Sequence, residues 1–192
     1  MIADSWMSST STVRPEPPFD FDRTVRFATY DSRRYVADVY QDGVHSRLLE
    51  VGGELALAQS RSLGTVEEPA LEISVSGSQL SDDAVSAARE IMARMLGAGE
   101  SLIPFYEMAG NDPMLAPLIA EFRGMRISQA ASVFESLVMS VLGQQISSQV
   151  ARVLRTGLVD AYGVSIESEG VSYSAFPRPQ DIASRGVDDL RA

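Results

Sequence analysis

The spacing of apolar positions divides this chain near residues 98–101. Before that point it predicts mostly strands, and after it one helix follows another. Tyr35–Tyr40 has strand composition, and Asp42-Gly43 reads as a hairpin turn into a partner strand over Val44–Val51. Gly52-Gly53 turns again into Glu54–Ser60. Leu71, Ile73 and Val75 alternate with Glu72 and Ser74, a half-buried strand ended by Gly77. A short helix over Asp22–Thr29, with Asp20 as its N-cap, precedes these strands. A longer one over Asp82–Leu96 follows them, capped by Ser81, with Asp82 and Asp83 in its positive first turn. Its apolar face is Ala84, Val85, Ala88, Ile91, Met92 and Met95. The later helices are predicted at Leu102–Met108, Pro113–Phe122, Ser132–Leu142, Ser148–Tyr162 and Pro179–Ser184, with a strand signal only at Val171–Tyr173. The fold class that follows is α+β: an N-terminal antiparallel sheet with flanking helices, then an all-α helical domain. Residues 1–16 read as a disordered polar leader, 17–98 as the α+β unit and 99–192 as the helical one. Asp188–Ala192 looks like the start of a further helix.

One corner stands out in the helical half. Val133, Phe134, Leu137, Val138, Val141 and Leu142 predict a buried helix face that stops at Gly143, Gln144 and Gln145. Gly143 is expected to loosen the backbone there, and Ser147 to cap a second helix whose apolar period resumes at Val150. Two amides on a tight corner can either face water or reach into a DNA groove and hydrogen-bond bases. The same pattern places Gln145 at an exposed tip, with Val141, Leu142 and Ile146 mostly buried beneath it.

Composition excludes some chemistry. The chain of 192 residues has no cysteine, so it offers no disulfide, thiolate nucleophile or sulfur metal site. No apolar run approaches the ~20 residues of a membrane span, and the N-terminus lacks the basic start and apolar core of a signal peptide. The formal net charge of −10 opposes phosphate binding, and all 16 basic residues are Arg, without a basic run. His45, the single histidine, falls in a predicted strand with no ligand cluster around it, so a structural role is expected and a metal site is not. Glu67-Glu68 and Asp82-Asp83 read as solvated charges or helix-dipole partners. No Gly-rich phosphate loop is present.

The segment FESLVMSVLGQQISSQVA (Phe134–Ala151) resembles the signature of the helix-hairpin-helix DNA glycosylase superfamily. Pro17–Phe27, Asn111–Ile127, Leu158–Gly163 and Phe176–Ala183 resemble, in the same order, the inducible bacterial 3-methyladenine type. The resemblance runs from about residue 17 to the last residue. It implies base excision repair of alkylated double-stranded DNA in a bacterial cytoplasm, with no cofactor and no metal. It also assigns Gln145 as the residue wedged into the duplex, Gln144 as a contact to backbone or base edge, and Phe19 as an aromatic of the base pocket. Ser147 is expected either to cap its helix alone or also to help the helix N-terminus meet a phosphate. In such enzymes a catalytic aspartate follows the hairpin. Asp181, Asp188 and Asp189 lie before that point, so none matches it, and these 192 residues alone are expected to lack base-release activity. Two alternatives stay open: a non-catalytic binding or scaffold module that kept the fold, and a glycosylase for oxidised purines.

Overall fold

The computed structural model describes residues 6–29 and 37–186. Five strands form one antiparallel sheet: β1 (Met7–Val13), β2 (Asp38–Gln41), β3 (Val44–Val51), β4 (Glu54–Ser62) and β5 (Leu71–Gly77), in the order β1-β5-β4-β3-β2. Both predicted hairpins are present. Asp42 and Gly43 have φ of 52° and 77°, and Gly52 and Gly53 of 61° and 88°. Positive φ at both central residues gives the twist that joins neighbouring antiparallel strands. The helices α1 (Phe21–Ala28) and α2 (Asp82–Met95) have the expected caps. Asp20 accepts from the Arg23 amide at 3.0 Å, and Ser81 from the Ala84 amide at 3.2 Å.

The N-terminal stretch corrects the sequence reading. Composition puts Met7–Val13 in an irregular leader, but it pairs with β5 from Met7↔Gly77 to Val13↔Leu71. Serine and threonine make a weak strand by themselves, but an edge strand needs little more than backbone pairing and one covered face. Trp6, just before this strand, packs beside the cluster on the sheet's outer face. Met1–Ser5, Tyr35, Val36 and the helix start at Asp188–Ala192 lie outside the described residues.

The main core lies between the sheet's inner face and α1 and α2. Leu49, Ala56, Ala58, Leu71, Ile73 and Val75 meet Val25, Ala84, Ala88, Met92 and Leu96 there. On the outer face Leu48 and Leu57 are covered by Tyr173 and Ala175. Tyr173 belongs to a hairpin within the half expected to be all helical, β6 (Ser165–Ser168) and β7 (Val171–Ser174), and Ala175 follows it directly. β6 escapes sequence reading because Ser-Ile-Glu-Ser is too short and polar to show a period. Both faces of β3 are thus covered, which is why its sequence does not alternate cleanly. The remaining helices are α3 (Ile103–Ala109), α4 (Ala116–Glu121), α5 (Val133–Val141), α6 (Ser148–Tyr162) and α7 (Pro179–Ala183). None of the described helices is long and apolar enough to cross a membrane.

Candidate nucleic-acid interface

The glutamine corner joins α5 to α6. Turn hydrogen bonds tighten the end of α5, from the Gly143 amide to the Ser140 carbonyl and from the Gln144 amide to the Val141 carbonyl, both 3.2 Å. The chain then reverses at Gln145, which has φ 59°. Gly143, expected to supply the change of direction, has no positive φ. A side chain there would crowd the Arg155 guanidinium at 3.0 Å and the Met139 carbonyl at 3.3 Å. A side chain at Gly143 would thus be a tight fit that its neighbours must yield to, and the left-handed residue is the glutamine. Such a conformation is unusual for a non-glycine residue and costs roughly 1–3 kcal/mol.

Ser147 caps α6 as expected, accepting from the Val150 amide at 3.3 Å. Gln144, Gln145 and Ser147 are all exposed and close together in the chain. The packing beneath them differs from expectation. Val141 is 64% exposed and Ile146 39%, while Leu142 is half-buried. The reason is the orientation of α5, which leaves Val133, Leu137 and Val141 of its apolar stripe outward, Phe134, Val138 and Leu142 half-buried, and its one charged residue inward. Val133 and Leu137 are 78% and 61% exposed, whereas Glu135 is 3% exposed. Val153 and Leu154 continue the outward apolar face on α6.

Phe19 is placed differently from the resemblance's assignment. It is 2% exposed and belongs to the main core, so its ring cannot line an open base pocket in this arrangement. The buried Arg126 guanidinium lies 5.6 Å from the ring centroid, a cation–π contact. Its Nη2 donates to the Glu16 carbonyl at 2.9 Å, and burial holds its pKa below the ordinary value. Two of the stretches that carry the resemblance meet here. The Asp20 amide donates to the Gly124 carbonyl at 2.8 Å, and the Gly124 amide to the Tyr106 hydroxyl at 2.9 Å.

Sequence reading missed a buried polar cluster beside α5. Arg47 on β3 donates to Asp38 and to Glu135, each at 2.6 Å, and His45 Nε2 lies 2.9 Å from Asp38. Burial pushes the Asp38 carboxyl up. The Arg47 charge and the hydrogen bonds from His45 and Arg47 pull it further, leaving it below its ordinary value. With Arg155 and Met139 these groups line a cavity of about 270 Å³. The available signal was parity: His45, Arg47 and Leu49 share a strand face, and only Leu49 is apolar. No group of three or more His, Asp or Glu among the described residues could hold a metal ion.

No family model matches the chain. A DNA-3-methyladenine glycosylase of Bacillus subtilis is 43% identical over 89 residues, covering 46% of this chain and 29% of the relative. A 3-methyladenine DNA-glycosylase from Archaeoglobus fulgidus superposes with a TM-score of 0.77 over 94% of this chain and 60% of that one, at 22% identity. The chain has the fold of this solved DNA glycosylase, and part of it is similar in sequence to a DNA-3-methyladenine glycosylase. An 8-oxoguanine glycosylase/lyase of Clostridium acetobutylicum, in complex with double-stranded DNA, shares the glycosylase fold at a TM-score of 0.64 and 13% identity, over 60% of its length. The chain spans less than a third of the Bacillus relative's length and about three-fifths of these solved glycosylases.

Proposed function

We propose that this chain carries the DNA-probing part of a base excision repair glycosylase of the 3-methyladenine type. The observation that carries the reading is Gln145, exposed and left-handed at the tip between α5 and a capped α6. Backbone strain held at a solvent-facing polar residue does nothing for packing, and a ligand contact gives it a purpose. Turning a base out of the stack leaves a hole and an unpaired partner base, at a cost of a few kcal/mol. A glutamine amide has both donors and an acceptor, so Gln145 fills the hole and satisfies the orphaned partner. Gln144 then meets the adjacent backbone or base edge, and Ser147 orders the first amides of α6 beside a phosphate. The sequence likeness to a DNA-3-methyladenine glycosylase supports alkylated purines as the lesion class. The net charge of −10 favours the competing reading, a scaffold without DNA affinity, because few phosphates can be neutralised.

The test is binding of a fluorescent duplex carrying one methylated purine, at low salt. Measurable affinity is expected, and Gln145→Ala should weaken it roughly tenfold, the worth of about 1–1.5 kcal/mol for a lost hydrogen bond. The melting temperature should stay unchanged, since the side chain is exposed. Equal affinity for the Gln145→Ala chain would remove the wedge. No affinity at all in the unaltered chain would leave the scaffold reading.

A further inference from the structure

Burial on α5 runs against its own hydrophobicity. On its outward side Val133, Leu137 and Val141 are exposed and meet nothing among the described residues that buries them. Its tie to the sheet's inner face is instead Glu135, in the first turn of the helix, held by the equally buried Arg47 at 2.6 Å. Arg47 is itself fixed from the other side by Asp38 at 2.6 Å. The segment leading into α5 is latched to α2: Arg94 donates to the Ala130 and Ala131 carbonyls at 3.1 and 2.6 Å, and the Gln129 amide to the Met95 carbonyl at 2.9 Å. At the far end Arg155 of α6 donates to the Met139 carbonyl at 2.7 Å. A bonded path thus runs from β3 through Glu135 along α5 to the glutamine corner.

We propose that Arg47 and Glu135 are positioning residues that set where the Gln144–Gln145 corner stands relative to the sheet. This rests on the reading of the corner as the DNA probe. A buried ion pair is a poor source of net stability but has a narrow geometry, and breaking one side leaves a charge without its partner. It specifies one placement of α5 where an apolar contact would tolerate sliding. The adjoining cavity of about 270 Å³ leaves room for α5 to shift once the pair is weakened.

The chain has no cysteine, so spin labels can be attached cleanly through Ser8→Cys on β1 and Ser148→Cys at the start of α6, both exposed positions. Without DNA, the unaltered pair should give one narrow distance distribution. Glu135→Gln, which keeps the shape and drops the charge, should broaden and displace it, and Glu135→Leu should do so further. Ser81→Ala lowers stability at the remote start of α2 and should leave the distribution as it was. Duplex affinity should fall roughly tenfold in Glu135→Gln while the circular dichroism stays native. An unmoved distribution in Glu135→Gln would overturn the proposal, even if Glu135→Leu does not fold. Absence of duplex binding in the unaltered chain would sink the probe reading, and the distance arm would still decide the role of the pair.

Discussion

Two residues show how local chemistry is forced by neighbours distant in sequence. Gly124 has φ 82°, and a Cβ there would lie 2.7 Å from the Asp20 amide nitrogen. Both the conformation and the contact exclude a side chain. Gly124→Ala should therefore destabilise by about 3 kcal/mol or more, read as a lower urea midpoint with an unchanged slope. Asp38 makes the second case. Its folded pKa lies below the unfolded value of 3.8, so the stability it contributes is complete above that value and is lost as pH falls through the folded one. Asp38→Asn removes that contribution. Its melting temperature should fall less steeply than the parent's as pH drops below about 4, and identical slopes there would show that Asp38 has no such role.

Among the elements, α6 separates local from tertiary causes. Its start is set by the Ser147 cap and its stop by Gly163, where a side chain would meet the Ala175 carbonyl at 2.4 Å. Ser147→Ala should cost about 1 kcal/mol of stability through the lost cap. Comparing its duplex affinity with that of Ser147→Asn, which also caps, separates capping from phosphate contact. Parent-like affinity in Ser147→Asn with a loss in Ser147→Ala means the hydroxyl acts only through the helix, and an equal loss in both assigns it a direct contact. The orientation of α5 has a tertiary cause: its apolar residues mark a face that its inward charge keeps off the sheet.

Across the molecule, the exposed faces of α5 and α6 join Met114, Leu118 and Phe122 as surface that water covers poorly. Exposed apolar side chains in such numbers bind other apolar surface. The chain should bind a hydrophobic dye and associate as its concentration rises, by sedimentation. Leu137→Glu and Val153→Glu change only exposed positions. Both should reduce dye binding while the helical signal is kept, and unchanged dye binding in both would place the sticky surface elsewhere.

Elements with local causes could be read from the chain alone. Alternation marked β5, the Asp42-Gly43 and Gly52-Gly53 turns marked β3 and its neighbours, and Ser81 and Ser147 marked helix starts through bonds only three residues long. The exposed glutamine tip was legible for the same reason, as an interruption between two helical periods. Which side of α5 faces inward was not legible, because that depends on Arg47, 88 residues away from Glu135. The same holds for the pairing of Met7–Val13 with β5 and for the enclosure of Phe19 beneath Arg126, both of which need partners far along the chain. Periodicity records how apolar a face is. Whether that face is buried depends on what stands opposite, and for α5 a buried carboxylate found its partner first.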